Sequence, residues 1–252
     1  MSPIVFGIHA INALIEIKPK HIEKVLISLT REDHRVKTLI KKLQYHNIII
    51  IKVHKYQLDA QSGGGVHQGI IAYTRTESLY KENDLLDLIK NLDNPFFLIL
   101  DGVTDPHNLG ACIRSANASG IHAVITAKDR TAPLNAIAKK SASGATEYIP
   151  LIRVTNLVRI IRVLKEENIW IIGATEKANK TLYQTKMTGR LSLVVGGEEK
   201  GMRRLTLEHC NELVSIPMIG KVSSLNLSVA TGICLYEAVR QRILQNTCKH
   251  QK

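Results

Sequence analysis

The sequence predicts an α/β protein in two parts, with a parallel sheet in the larger part. From residue 96 onward, short apolar runs typical of buried strands alternate with segments of helical apolar spacing. This alternation is typical of a parallel sheet with helices on both faces. The first 76 residues carry strand and helix patterns of their own, and a charged, helix-prone segment follows them. We therefore predict a small domain over residues 1–76, a linker with a short helix over 77–94, and a larger domain over 95–252.

The small domain is predicted from five short patterns. Residues 9–17 have the apolar spacing of a helix, and residues 35–46 have that of a basic amphipathic helix. Strands are predicted at 23–29 and 47–53, and a glycine-rich loop that leads into a strand is predicted at 61–74. Together they indicate a compact α/β unit.

The larger domain contains six predicted strands and four main predicted helices. The strands share apolar and β-branched content and lie at 96–103, 122–126, 147–152, 170–175, 191–197 and 213–218. The helices share the 3.6-residue apolar period and lie at 110–120, 135–146, 157–168 and 229–245. In an open parallel sheet of this kind, ligands bind at the carboxyl ends of the strands.

The composition indicates a globular protein, with 44% hydrophobic and 22% charged residues. The apolar runs are too short to span a bilayer, and the N-terminus lacks the pattern of a secretion signal, so we expect a cytoplasmic protein. The four cysteines lie far apart without a Cys-x-x-Cys pair. This favours reduced thiols over a disulfide framework, and we expect no metal site.

The charge balance indicates a polyanionic partner. The chain has a formal net charge of +12. Residues 1–76 carry 11 Lys and Arg residues against 5 Asp and Glu residues, so half of the excess lies on less than a third of the chain. A basic domain of this kind is typical of nucleic-acid binding, although a lysine-rich genome would also produce a basic protein.

Three loops that follow predicted strands could form a ligand site. They span 101–114, 194–204 and 215–228, and each is rich in glycine or polar residues. A phosphate loop is disfavoured, because Glu198 and Glu199 would repel phosphate and no G-x-G-x-x-G string is present. The missing glycine fingerprint also argues against a Rossmann oxidoreductase.

Taken in order, the three loops resemble the motifs of the SpoU/TrmH family, which belongs to the SPOUT superfamily of RNA ribose 2′-O-methyltransferases. The matching strings are DPHNLG at 105–110 through Arg114, VGGEEKG at 195–201, IPM at 216–218 and SSLNLSVA at 223–230. This resemblance covers roughly residues 95–245. In the small domain, FGIHA at 6–10 and VHQGI at 66–70 resemble the family's accessory RNA-binding domain, an α/β fold related to ribosomal protein L30e.

The resemblance implies a fold and an activity beyond what patterning predicts. It implies a SPOUT domain whose C-terminal segment forms a deep trefoil knot, a homodimer, and S-adenosyl-L-methionine as methyl donor without a metal. The strings are most similar to the branch that methylates a guanosine ribose in the P loop of 23S rRNA. Two alternatives stay open: a tRNA ribose 2′-O-methyltransferase of the same family, and a non-catalytic RNA-binding protein with a knotted fold.

The resemblance also implies roles for single residues. The implied catalytic residues are Asn108, Arg114, Glu198, Ser224 and Asn226. The implied cofactor-binding residues are Gly196, Ile216, Met218 and Leu225. The role of Arg114 stays open between a base for the ribose hydroxyl and a clamp for the neighbouring phosphate, since arginine stays protonated in proteins.

Two details of these motifs carry further expectations. Relatives generally have a small residue at the position of Glu199 and a polar one at that of Lys200, so Glu199 is strained if its position needs a positive φ. Ser228 is expected to be the N-cap of the closing helix.

Overall fold

The computed structural model describes residues 3–31, 33–75, 80 and 82–249. Up to residue 75 the described chain contains four strands and three helices. They are β1 (Ile4–Phe6), α1 (Ile8–Ile17), β2 (Ile22–Ser28), α2 (His34–Tyr45), β3 (Ile49–Val53), α3 (Lys55–Ser62) and β4 (Ile70–Thr74). The predicted elements of the small domain are present, and β1 is an additional strand that patterning did not predict. Residues 77–79 and 81 of the predicted linker lie outside the described residues.

From residue 82 onward, strands and helices alternate as predicted. They are α4 (Glu82–Lys90), β5 (Phe96–Asp101), α5 (Pro106–Ala118), β6 (Ala123–Ala127), α6 (Ala136–Ser141), β7 (Leu151–Val154), α7 (Leu157–Glu166), β8 (Trp170–Ala174), β9 (Leu191–Gly196), α8 (Arg204–His209), β10 (Glu212–Val214) and α9 (Leu227–Lys249). The last strand ends four residues earlier than predicted, because Ser215 pairs with Thr181 instead of continuing the sheet. Among the described helices, none has the length and apolar content to cross a membrane.

The strands form two sheets. The N-terminal sheet has the order β1-β4-β2-β3, in which β2 and β3 are parallel and the other pairs are antiparallel. The larger sheet has the order β10-β8-β9-β5-β6-β7, and all of its pairs are parallel. The parallel sheet predicted from the alternation is thus confirmed. The trefoil knot depends on how the chain passes through its own loops, which strand order does not decide, so the knot stays a prediction.

Each sheet has its own core. In the N-terminal unit, Val25 of β2 packs with Leu39 of α2. In the larger unit, β5 is buried along its whole length, as a central strand covered on both faces must be. Leu85 and Ile89 of α4 are buried in this second core, so the described end of the predicted linker is packed structure.

The chain divides into two compact units. One unit combines Met1–Ser78 with Pro133–Tyr148, and the other combines Leu79–Ala132 with Ile149–Lys252. Helix α6 therefore belongs to the first unit, where Ala136 packs against the cluster that contains Phe6. The alternation pattern predicted this segment as part of the larger domain. Apolar spacing shows that a helix has a face to bury, but not which core covers it.

Candidate active site

The loops after β5 and β9 leave the larger sheet side by side. These strands are parallel neighbours, and their last residues, Asp101 and Gly196, are partners in register. The backbone N–H of Gly197 donates to the carbonyl of Asp101 at 2.8 Å. A Cβ on Gly197 would overlap the carbonyl of Gly102. The lack of a side chain at Gly197 therefore lets the first and second motif loops run in contact.

The second motif is a tight turn that a backbone hydrogen bond closes. The N–H of Gly201 donates to the carbonyl of Gly197 at 2.9 Å, and Gly201 has a φ of +62°. A Cβ on Gly196 would overlap the backbone of Gly201 and Met202. Three glycines of the motif thus meet steric or conformational requirements of the turn.

Glu199 lies in this turn without backbone strain. It is not among the described non-glycine residues with positive φ. We expected strain only if Glu199 needed a positive φ, and it does not. Gly201 is the residue of this turn that adopts the left-handed conformation. The side chains of Glu199 and Lys200 are both exposed.

Asp101 anchors the end of the second motif loop, at Arg203. The sequence analysis did not assign it a role. Its side chain is completely buried at the end of β5. Its Oδ2 accepts a hydrogen bond from the backbone N–H of Arg203 at 2.8 Å, and the Arg203 Nε lies 3.5 Å from Oδ1. The sequence signal was a carboxylate ending an otherwise apolar run, FFLILD. Because a buried polar group needs hydrogen-bond partners, the bond to the Arg203 N–H ties the end of the second motif loop to β5.

Three predicted catalytic residues are joined by side-chain hydrogen bonds. The Nδ2 of Asn226 donates to the Oδ1 of Asn108 at 3.1 Å. The Nδ2 of Asn108 in turn donates to the Oε1 of Glu198. We call this chain the amide relay. It joins one residue from each of the three motif loops, although they are distant in sequence.

The packing of α9 against α5 creates the amide relay. In their buried contact, the Sγ of Cys112 lies 3.5 Å from the Oγ1 of Thr231. The side chain of Asp105 caps the start of α5 by accepting the N–H of His107 at 2.9 Å, and Pro106 occupies the first helical position. Asn108 thus lies in the first turn of α5. The Glu198 carboxylate at this turn is favoured by the partial positive charge of a helix N-terminus.

Asn226, and not Ser228, caps helix α9. The Oδ1 of Asn226 accepts the backbone N–H of Ser228 at 2.9 Å and lies 3.4 Å from that of Val229. The hydroxyl of Ser228 also donates to this oxygen at 2.6 Å. The expectation for Ser228 was wrong because the helix begins at Leu227, which places Ser228 inside the first turn.

Arg114 lies apart from the amide relay. A helix predicted at 110–120 would place Arg114 about one turn from its start, but α5 begins at Pro106 and Arg114 is its ninth residue, about 12 Å from that start along the axis. Its side chain is exposed, and it forms no hydrogen bond or ion pair with the described residues. The guanidinium is therefore open to a ligand from outside the chain.

The predicted cofactor residues lie at the carboxyl-end loops, mainly in the loop between β10 and α9. Ile216 and Met218 are half-buried, Leu225 is exposed, and Gly196 is half-buried at the end of β9. Ser224 is exposed in the same loop. Within the described chain, residues 216–225 form no backbone hydrogen bond with one another or with other segments.

This loop supplies the hydrogen-bonding and apolar groups that a bound S-adenosylmethionine would need. It offers unpaired backbone donors and acceptors beside apolar side chains, which suits an adenine ring and a polar amino-acid end. By contrast, no three His, Cys, Asp or Glu side chains in residues 3–31, 33–75, 80 and 82–249 are grouped to hold a metal ion.

Comparison with protein families gives two matches that divide the chain. The model of the SpoU rRNA Methylase family matches residues 95–236. A second model, described as RNA 2′-O ribose methyltransferase substrate binding, matches residues 4–80. All three loops of the candidate site lie in the first matched region.

Known proteins and structures resemble the chain over different lengths. The 23S rRNA (guanosine-2′-O-)-methyltransferase RlmB of Escherichia coli K12 is 62% identical over 242 residues, which covers 96% of this chain and 100% of the relative. The crystal structure of the SpoU methyltransferase AviRb from Streptomyces viridochromogenes with AdoMet has a TM-score of 0.78 at 24% identity, and the match covers 96% of this chain and 90% of that one. The crystal structure of the A. aeolicus TrmH/SpoU tRNA modifying enzyme has a TM-score of 0.56 at 28% identity, and the match covers 66% of this chain and 85% of that one.

The family match spans more than half of the chain and contains every residue of the amide relay. The relative from Escherichia coli extends the similarity over almost the entire length. This chain belongs to the SpoU rRNA methylase family.

Proposed function

We propose that this protein transfers a methyl group from S-adenosylmethionine to the ribose 2′-oxygen of a guanosine in 23S rRNA, in the P loop of the peptidyl-transferase centre, with release of S-adenosylhomocysteine and the hydroxyl proton. The observation that carries the proposal is the 62% identity to RlmB over the full length of that relative. The amide relay supports catalysis over the non-catalytic alternative, because its three members are present and mutually hydrogen-bonded.

The substrate-binding unit favours ribosomal over transfer RNA. RlmB of Escherichia coli matches 96% of this chain, whereas the tRNA modifying enzyme of A. aeolicus matches 66% of it. Residues 4–80 match a substrate-binding model of RNA ribose methyltransferases. The similarity to an rRNA methyltransferase thus extends over nearly the whole chain, and the similarity to a tRNA enzyme extends over a smaller part of it.

The amide relay fixes the orientation of Asn108. Its amide nitrogen and its amide oxygen are both engaged, so neither a flip nor a rotation of the side chain is free. Glu198 uses Oε1 for this contact, which leaves Oε2 for a sugar hydroxyl. When bound, S-adenosylmethionine supplies the electrophilic methyl group. The residues of the relay contribute by holding groups in the correct orientation. Correct orientation lowers the activation barrier of many transfer reactions by a large amount.

Arg114 is proposed as a clamp for the phosphate next to the target ribose. The side chain is exposed, and arginine in general stays protonated in proteins, which disfavours it as a base. A charged guanidinium instead matches the geometry of a phosphate through two parallel hydrogen bonds. Ser224, which is exposed in the third motif, is available to the same RNA strand.

A homodimer, the trefoil knot and a cytoplasmic location complete the proposal. The outer face of α9 carries large exposed apolar side chains at Tyr236, Ile243 and Leu244. Apolar surface of this kind on a helix supports a protein interface. Analytical ultracentrifugation of the full chain tests the dimer, and a monomeric sedimentation coefficient at micromolar concentration would contradict it.

The activity is tested with labelled S-adenosylmethionine and in vitro transcribed 23S rRNA. We expect one methyl group per transcript, located on a ribose 2′-oxygen of a guanosine in the P loop. Transcribed tRNA is the control substrate and should accept no label. Label on a base, or on tRNA in preference to 23S rRNA, would overturn the proposal. Calorimetric binding of S-adenosylmethionine without methyl transfer to any RNA would favour the non-catalytic alternative.

A further inference from the structure

The N-terminal unit contains a concavity of about 590 Å³ that lies entirely within residues 28–69. It lies between the end of β2 and the glycine-rich loop that follows α3. Its volume is within the range of pockets that hold ligands of nucleotide size. It contains none of the residues of the amide relay or of the proposed cofactor loop.

The glycine-rich loop is shaped by backbone conformations that few residues adopt. Gly63, Gly64 and Gly69 have φ values of +59°, +85° and +76°, and the non-glycine Gln68 has a φ of +54°. A Cβ on Gly65 would overlap the ring of Phe6. The loop therefore has a conformation that requires glycine at several positions, and it forms one wall of the concavity.

His67 fixes this wall from inside. The side chain is buried, with 5% of its surface exposed. Its Nδ1 accepts the backbone N–H of Gly69 at 3.0 Å, so the ring proton lies on Nε2, which donates to the Oδ1 of Asp59 at 2.8 Å. The amide oxygen of Gln68 accepts the N–H of Ile8 at 3.2 Å. Two consecutive residues of the wall, His67 and Gln68, are thus held by side-chain hydrogen bonds.

The lining combines positive charge with an exposed apolar side chain. Lys55 and Arg31 contribute two cations, and Asp59, whose Oδ1 is engaged by His67, contributes an acidic group. Arg31 uses its Nε to contact Asp33 at 2.7 Å, which leaves its terminal nitrogens for another anion. Val66 keeps 67% of its surface exposed. The backbone N–H groups of Val66 and Gln68 donate to no acceptor among the described residues.

Lys55 is unfavourably placed for helix stability. It is the first residue of α3, next to the cap residue His54. A cation at the N-terminus of a helix opposes the helix dipole. An anion bound at this end of the helix would offset that unfavourable interaction.

We propose that this concavity binds one unpaired nucleotide of the RNA substrate, with its phosphate at Lys55 and Arg31 and its base against Val66. The inference rests on the proposed function, because it takes RNA to be the substrate. Proteins that read RNA specifically bind bases that are splayed out of a helix, whose faces then pack against side chains. The concavity is a second contact point, separate from the target ribose, and contributes affinity and choice of substrate.

Kinetics of Lys55→Ala test the charge, with Lys41→Ala as the matched control. Lys41 is exposed on α2 in the same unit and is outside the lining. With 23S rRNA transcript as substrate, Lys55→Ala should raise KM about tenfold at unchanged kcat and lower the slope of log KM against log salt by about 1, as loss of one phosphate contact does. The affinity for S-adenosylmethionine and the thermal midpoint should match those of the wild-type protein. Equal KM values for the two variants would overturn the inference.

Photocrosslinking tests the base. Val66 is replaced by p-benzoylphenylalanine in the full chain, and the same replacement is made at Lys41. We expect position 66 to crosslink one unpaired nucleotide of the transcript above the level seen at position 41. Crosslinks that are dispersed along the RNA, or absent, would overturn the inference. Methyl transfer by the unaltered protein is measured in parallel, so that a failed pocket with an active enzyme is distinguished from a failed proposal of function.

Discussion

The side-chain amide of Asn226 donates a hydrogen bond to the side-chain oxygen of Asn108 at 3.1 Å, across 118 positions of the sequence. The oxygen of the same Asn226 side chain accepts the backbone N–H of Ser228 and so caps α9. One side chain therefore both starts the last helix and links it to the first motif. These two roles use different atoms, so substitutions can separate them.

Asn226→Asp should reduce activity without unfolding the protein. Aspartate keeps an oxygen that caps α9, but it has no N–H to donate to Asn108. We expect methyl transfer to fall about 10²-fold, a typical loss when a catalytic group is misplaced. Asn226→Ala removes both contacts, so the free energy of unfolding should also fall by about 1 kcal/mol. Initial rates with labelled cofactor and urea unfolding measure the two effects.

Ser228→Ala is the control for these variants. It leaves both the cap oxygen and the amide relay in place. We expect it to destabilise the protein less than Asn226→Ala does. A wild-type rate for Asn226→Asp would mean that the contact between Asn226 and Asn108 has no part in catalysis.

Arg114→Ala should lower kcat/KM for 23S rRNA while stability stays unchanged. The guanidinium is exposed and has no partner among the described residues, so its removal breaks no contact within the chain. Loss of a charged hydrogen bond to phosphate costs about 1.5–3 kcal/mol, or roughly 10- to 100-fold in kcat/KM. Arg114→Lys should recover part of this loss, since lysine keeps the charge but not the two-point geometry. If Arg114→Ala binds S-adenosylmethionine normally and turns over at the wild-type rate, the clamp proposal is wrong.

Gly197→Ala should destabilise the larger unit. Its Cβ would overlap the carbonyl of Gly102, so the loops after β5 and β9 would have to separate. Overpacking of this kind costs about 1–3 kcal/mol in the free energy of unfolding. The control is Gly220→Ala, because a Cβ there meets nothing within 4 Å and the φ lies outside the left-handed region. In urea unfolding, the free energy of unfolding of Gly197→Ala should be well below that of the wild type. That of Gly220→Ala should equal the wild-type value or slightly exceed it.

The thiols of Cys112 and Cys234 should be unreactive in the folded protein. Burial raises the pKa of each thiol to about 12. Because the thiolate is the reactive form, neither should be alkylated by iodoacetamide at pH 8 until the chain unfolds. Peptide mass spectrometry with and without urea measures this, and labelling of either peptide at equal rates in both conditions would contradict it. The folded state keeps protons that the unfolded chain releases above about pH 9, so these thiols lower stability as the pH rises from about 9 to 12.

Local patterns predicted the larger sheet well. Apolar runs of strand length alternated with helical periods, and the buried strands β5 and β9 lie where these runs lie. The start of α5 at Pro106 obeys local rules, since Asp105 is a cap residue and Pro106 a first helical residue, but the apolar period placed this start four residues too late, at 110. Such features depend on neighbours within a few positions, and the sequence displays those neighbours directly.

Other features depended on contacts that the linear chain does not display. Asn226 and Ser228 are both residue types that cap helices. Only the structure shows that α9 begins at Leu227, which makes Asn226 the cap and places Ser228 inside the first turn. Glu199 escaped strain because Gly201 takes the left-handed conformation. Helix α6 joined the N-terminal unit because the cluster around Phe6 covers its apolar face.

The sequence by itself determined the α/β class, the parallel sheet and the three motif loops, because strand and helix periods and glycine positions are properties of short segments. Only the tertiary structure decided that Asn226, Asn108 and Glu198 are joined by hydrogen bonds, that Arg114 is not bonded to them, and that residues within 28–69 line a concavity. The physical reason is that strand order and helix packing bring distant segments together. This tertiary arrangement buries the apolar surface of the whole unit, so it cannot be read from any one segment.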